Sequence, residues 1–365
     1  MYDYLIVGSG LFGSTFAYEM SKVGKKCLVI DKSNHIGGNC YTENKDNINV
    51  HIYGPHIFHT NDKNIWDWIN SFTDFNNYKH SAKVNYKNQI YSFPINLMTL
   101  NKLWGVNTPD EAIKKIKQVS NSIDNPRNLE EWILSQVGDE IYKIFIKGYT
   151  TKQWGREPIN LPSSIIKRLP IRTNFDDNYF FDKYQGIPIN GYTPIFEKLL
   201  DKIEVRLNTD YFTNKEHFNS LAHKVVYTGK IDEFYDYRFG ELEYRSLNFV
   251  HERHTIEDYQ GCSQINFTDI KIPYTRITEH KHFENSKSDV TWITKEYPKV
   301  YEKNDIPYYP INDDINNNIY TQYKKLAYNE SDIIFGGRLA EYKYYDMHQV
   351  IASALTKVKK ELNLT

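Results

Sequence analysis

The chain has only three cysteines, Cys27, Cys40 and Cys262, in 365 residues. An odd and small number excludes a disulfide framework and fits a reducing compartment. An excess of charge of one sign is also missing: 45 lysines and arginines face 46 acidic residues, for a net charge of -1. That balance argues against a general role on nucleic acid or on a membrane surface. No run of eighteen apolar residues occurs, so no membrane span is expected. The first strand is expected from Tyr2, which leaves no room for a signal peptide before it. A cytoplasmic soluble protein follows, without a nucleic-acid or membrane partner. There is no internal repeat and no Gly-x-Ser-x-Gly elbow, so a Ser/His/Asp nucleophile site is poorly supported.

What is present begins at once. Tyr2 to Asp31 reads as an apolar β-type run, a glycine turn, an apolar-periodic segment and a second β-type run closing on an acid. This is the strand–helix–strand dinucleotide unit. Gly8 permits the tight turn, Gly10 lets backbone approach a pyrophosphate, and Gly13 lets helix and strand pack closely. The helix N-terminus offers free N–H groups to phosphates. Asp31 is placed to accept a hydrogen bond from a ribose hydroxyl. No second fingerprint of this kind follows, so an intrinsic nicotinamide site is not expected and any reductant comes from outside the chain.

A second glycine pair, His35-Ile36-Gly37-Gly38-Asn39, sits just behind Asp31 and gives backbone another approach to a long cofactor. FAD-binding chains resemble this, which favours FAD over NAD. Further along, helices are expected over 64–72, 108–119, 129–147, 191–200 and 347–362, and a hairpin over 84–93 turning at Lys87-Asn88. Residues 162–177 carry no helical or strand period and read as a long mobile loop. Strands at 203–207, 224–227 and 333–335 return to the nucleotide-binding sheet. Alternation from Glu241 to Tyr297 predicts an antiparallel sheet with one face buried. The expected fold is α/β: a Rossmann-like FAD-binding domain with a helical insertion and an antiparallel β-sheet domain. The FAD-binding domain takes 1–75, 191–240 and 326–365. The sheet domain takes 76–94, 151–190 (with the loop) and 241–325, and the helical domain 95–150.

His56 and His59, with His280 and His282 on one strand face, raise the question of a metal. No carboxylate or cysteine stands at ligand spacing nearby, so no metal is expected. Arg168, Arg172, Arg245, Arg276 and Arg338 sit among aromatic and apolar residues rather than in charge runs. Arg276 falls mid-strand, where an unpaired guanidinium is costly to bury. It reaches water, pairs with an acid, or binds an anion. Two converging arginines would make a fork for a diphosphate.

Taken in order, these strings resemble the bacterial UDP-galactopyranose mutase family over nearly the whole chain. They include Gly-Pro-His-Ile-Phe-His-Thr (54–60), Gly-Tyr-Thr-Thr-Lys-Gln-Trp-Gly (148–155), Lys-Arg-Leu-Pro-Ile-Arg (167–172) and Tyr-Thr-Arg-Ile-Thr-Glu-His (274–280). Gly-Gly-Arg-Leu-Ala-Glu-Tyr (336–342) completes the series. The resemblance implies noncovalent FAD, active when reduced by an external reductant. It implies interconversion of UDP-galactopyranose and UDP-galactofuranose for cell-surface polysaccharide biosynthesis, in a homodimer. It implies that reduced FAD acts as the nucleophile at the anomeric carbon, so that no side-chain nucleophile is needed. Carried over by motif, Arg168 and Arg276 clamp the diphosphate, and Tyr309 and Tyr344 hydrogen-bond it. Trp154 and Tyr179 line the nucleotide and sugar region, Phe145 and Tyr149 lie near the uracil, and Asn266 and Arg245 face the substrate. His56 and His59 lie beside the flavin. Phe12, Lys32, Gly38, Asn39, Arg338, Asp346 and Met347 hold the cofactor with the glycine turn. The chain has Pro55 where members often have alanine, and Ile146 where some have a second phenylalanine. A flavin oxidoreductase of the amine-oxidase type and a nucleotide-binding module without catalysis are the rival readings.

Overall fold

Leu5 and Ile6 point to opposite faces of one strand, and both faces are covered. Leu5 packs with Tyr227, Phe234 and Phe335, whereas Ile6 packs with Phe16, Met20 and Val350. Burial on both sides is what a parallel sheet requires. The computed structural model describes residues 1–167 and 169–363. In it, strand Tyr2–Val7 is the centre of a five-stranded parallel sheet. The order is Ile333–Phe335, Ala222–Tyr227, Tyr2–Val7, Cys27–Ile30, Glu204–Arg206. Helix Leu11–Lys22 follows the glycine turn and packs on the C-terminal helix Met347–Glu361.

The second sheet has seven strands. Its order is Tyr309–Pro310, Tyr244–His254, Thr291–Val300, Arg276–Glu279, Gln264–Phe267, Ala82–Tyr86, Gln89–Phe93. It is mixed rather than antiparallel, because Gln264–Phe267 runs parallel to Ala82–Tyr86. The hairpin turns at Lys87 and Asn88, both at positive φ, as its sequence predicts.

The helical insertion begins with Leu97–Trp104 and Pro109–Val119, the latter closed by a capping box on Thr108 and Glu111. Helix Leu129–Ile141 passes through a π-helical stretch, Tyr142–Lys147, directly into helix Gly148–Trp154. The helical run therefore extends beyond the expected end at 147. Helix Asp314–Tyr328, which is not among the expected elements, covers the edge of the parallel sheet with Ile319, Tyr320, Tyr323 and Ala327. His280 and His282 do not share a strand face: the strand stops at Glu279, and Lys281–Glu284 is a helical turn. The expected loop contains a 3-10 turn at Ser163–Ile165 and touches the insertion through Ile171 and Ile95. Among the described residues, no helix is long and apolar enough to cross a membrane.

Candidate active site

One cavity of about 850 Å³ runs from the glycine turn to the seven-stranded sheet. At its first end the turn is shaped by close approaches. A Cβ on Gly13 would lie 2.0 Å from the Gly8 carbonyl oxygen, so helix and strand meet only because position 13 is glycine. A Cβ on Gly10 would meet nothing within 4 Å, leaving space in front of the helix N-terminus. The second glycine pair touches the first, since a Cβ on Gly38 would stand 3.1 Å from Gly10 Cα. Asp31 turns inward: its Oδ2 accepts from the Ser9 amide at 2.7 Å and the Ser9 hydroxyl at 2.6 Å. Oδ1 accepts from the Ser33 amide at 2.8 Å. The acid thus braces the phosphate turn, and a ribose hydroxyl would share oxygens already engaged.

Lys32, Asn39, Arg338, Asp346 and Met347 line the same end, with Phe12 lodged against Gly336. Arg338 donates from Nη2 to the Tyr308 carbonyl at 2.8 Å, while its Nε is buried without a partner. Asp346 caps the C-terminal helix. His56 has Nδ1 2.8 Å from the Gly54 carbonyl, which fixes the proton on Nδ1 and leaves Nε2 bare. Burial draws its pKa down to about 4, so it is neutral at physiological pH. His59 bonds Asp182 through Nδ1 and stacks on Phe180 at 3.8 Å between ring centroids.

At the far end, Arg276 donates from Nη2 to the Tyr149 hydroxyl at 2.7 Å. Its Nε lies 3.4 Å from Glu296, a carboxylate that is 1% exposed. Burial opposes the charge on Arg276, and Glu296 together with the Tyr149 and Tyr309 phenols outweighs it, so the guanidinium stays charged. Tyr309 stands between Trp154 and Tyr344, with ring centroids 6.2 and 5.4 Å away. Phe145 is buried against Tyr91 and Phe93, and half-buried Tyr179 lies against Phe93 and His80. Asn266 accepts from Gln264 at 2.9 Å.

The expected residues named so far line the cavity, and Arg245 does not. Arg245 is not in the cavity wall: its Nε donates to the Gln153 carbonyl at 3.0 Å and Nη2 to the Lys152 carbonyl at 3.3 Å. Gly155 admits it, because any Cβ there would lie 2.8 Å from Nη1. Arg245 is therefore a cap on the end of helix Gly148–Trp154. Arg168 lies outside the described residues. Arg172 pairs with Asp176 at 3.2 Å. Sequence reasoning missed Glu296, although the cost of an unpaired Arg276 called for an acid. It also missed His80, Gln153 and Gln264, which line the cavity without a motif of their own. Away from the cavity, His282 Nε2 lies 3.3 Å from Glu279 and 3.4 Å from Asp258, carboxylates absent from the sequence argument.

A Rossmann sheet, paired glycine turns and a long cavity ending on a guanidinium define a dinucleotide-binding protein of the α/β class. The residues fit FAD: space lies ahead of the helix N-terminus at Gly10, and the orphaned Arg338 Nε lies in the cofactor end. A family model described as UDP-galactopyranose mutase matches residues 144–344, and one described as an NAD(P)-binding Rossmann-like domain matches 6–72. A dTDP-fucopyranose mutase of Escherichia coli is 43% identical, covering 97% of each chain. A probable UDP-galactopyranose mutase of Klebsiella pneumoniae is 42% identical over 97% of this chain and 93% of its own. A crystal structure of reduced UDP-galactopyranose mutase shares the fold at a TM-score of 0.76 and 14% identity, covering 100% and 94%. The chain belongs to the UDP-galactopyranose mutase family, a family of flavoenzymes, and its cofactor is FAD.

Proposed function

We propose that the protein interconverts UDP-galactopyranose and UDP-galactofuranose, supplying the furanose for cell-surface polysaccharide. The reading is carried by one observation: the glycine cradle and the Arg276 guanidinium open into the same cavity. When bound, reduced FAD would supply the nucleophile at the anomeric carbon. Arg276 holds the departing diphosphate by charge and by directed N–H groups. Arg168, next in the chain to the described Lys167, is assigned the second fork by motif. Tyr309 and Tyr344 donate to the same phosphates, and Trp154, Tyr179, Phe145 and Tyr149 enclose the nucleoside. Closing those rings over the site excludes water from the leaving group and strengthens each ionic contact. His56, neutral with a bare Nε2, offers an acceptor rather than a charge beside the cofactor. The active form is a cytoplasmic homodimer primed by an external reductant.

A second reading is favoured by the Escherichia coli relative, whose named substrate is a dTDP sugar. Incubating the reduced protein with UDP-galactofuranose and with dTDP-fucofuranose, and resolving products by chromatography, separates the two. Preferential conversion of the uridine sugar supports the first reading. Preferential conversion of the deoxythymidine sugar replaces it with the second. Oxygen consumption with an amine and no isomerisation would place the protein with amine oxidases.

A further inference from the structure

The motif 148–155 contains a lysine that the chemistry above does not use. Lys152 projects from helix Gly148–Trp154 into the turn joining strands Gln264–Phe267 and Arg276–Glu279. Its Nζ donates to the carbonyls of Phe267, Asp269, Ile272 and Tyr274 at 2.8, 3.0, 2.9 and 2.9 Å. An ammonium has three protons, so four carbonyl acceptors form an oxygen cage rather than a set of simple pairs. Main-chain carbonyls around a compact charge are how proteins coordinate monovalent cations.

The cage sits where two site-bearing elements meet. The helix carries Tyr149 and Trp154, and the caged turn is flanked by Asn266 and Arg276. Gly148 permits the approach: a Cβ there would lie 2.2 Å from the Thr268 carbonyl oxygen. Arg276 and Tyr149 then bond across the same junction at 2.7 Å. Arg245 grips the carbonyls of Lys152 and Gln153 from the opposite side.

We propose that Lys152 is a positioning residue, a built-in monovalent cation that pins the 267–274 turn to the helix and so sets Arg276 against Tyr149. The ligand arm of its test rests on the proposed function; the exchange arm does not. In the FAD-loaded full chain, Lys152→Met is expected to keep its flavin spectrum while amide hydrogen exchange at 267–276 rises at least tenfold. The dissociation constant for UDP is expected to rise at least tenfold. In Lys152→Ala, ammonium or potassium at 0.1 M should restore both, and tetramethylammonium at equal ionic strength should not. Unchanged exchange, UDP binding within twofold of the parent, or no rescue by the small cations overturns the proposal. Failure of both variants to fold with flavin also overturns it, since Lys152 is then a folding determinant. If the parent chain itself does not bind UDP, the functional reading fails, and the exchange at 267–276 still decides the role of Lys152.

Discussion

Arg276 Nη2 and Tyr149 Oη lie 2.7 Å apart, joining the seven-stranded sheet to the end of the helical insertion across 127 residues of sequence. The bond holds one face of the guanidinium, and Glu296 lies against its Nε. Arg276→Ala is expected to abolish turnover with FAD still bound. It also leaves Glu296 buried without its partner, a change that costs about 3–5 kcal/mol. Arg276→Lys keeps charge without the fork and should recover part of the stability but little of the rate. Steady-state assays with flavin absorbance check both; near-normal turnover in Arg276→Ala would refute the diphosphate clamp.

The glycine turn allows two substitutions to be set against each other. Gly10 has φ -71 and open space around its would-be Cβ, so Gly10→Ala should fold normally. The methyl group then occupies the approach of the pyrophosphate, and FAD affinity should fall at least tenfold. Gly13→Ala forces a Cβ against the Gly8 carbonyl and should lower thermal stability and flavin content together. Flavin titration and melting of the two variants check this; equal FAD affinity in Gly10→Ala and the parent would contradict it.

Acid should weaken the fold early. Burial lowers the pKa of His51 and His80 to about 3 and of His56 to about 4, against 6.5 in the unfolded chain. The unfolded chain therefore binds protons below 6.5 that the native chain refuses. The contribution of these three groups is complete above pH 6.5 and falls as pH drops, by up to about 1.4 kcal/mol per imidazole per pH unit. Urea midpoints at pH 7.5 and 5.5 check the slope, and His80→Gln should reduce it.

His282 acts in the opposite sense. The Glu279 carboxylate 3.3 Å from its Nε2 raises its pKa, so its contribution is complete below 6.5 and is lost as pH rises through the folded value. His282→Asn should remove a decline in stability on that alkaline side. Midpoints between pH 6 and 9 measure it, and an unchanged profile would contradict the assignment.

The parts of this molecule visible in sequence are those whose physics is local. The turn at Gly8, Gly10 and Gly13, the Thr108 cap and the Lys87-Asn88 hairpin each lie within a few residues of their cause. The parallel pairing of Gln264–Phe267 with Ala82–Tyr86 leaves no local trace, so the sheet reads as antiparallel until seen. Helix Asp314–Tyr328 is easily passed over because its first half carries a run of asparagines, and only Asn316 and Tyr323 of its core-facing side are fully buried, with Ile319, Tyr320 and Ala327 half-buried. Arg245 illustrates the limit for the site. A guanidinium among aromatics signals a ligand or a carbonyl cap alike, and only its bonds to the Gln153 and Lys152 carbonyls distinguish them.

In the proposed function a reduced cofactor does the chemistry, and the side chains hold the reacting groups in place. Conversion of UDP-galactofuranose is to be followed anaerobically with the FAD-loaded chain, once reduced by dithionite and once oxidised. The reduced sample is expected to equilibrate the sugar at least a hundredfold faster. Equal rates from the oxidised protein would contradict the central claim.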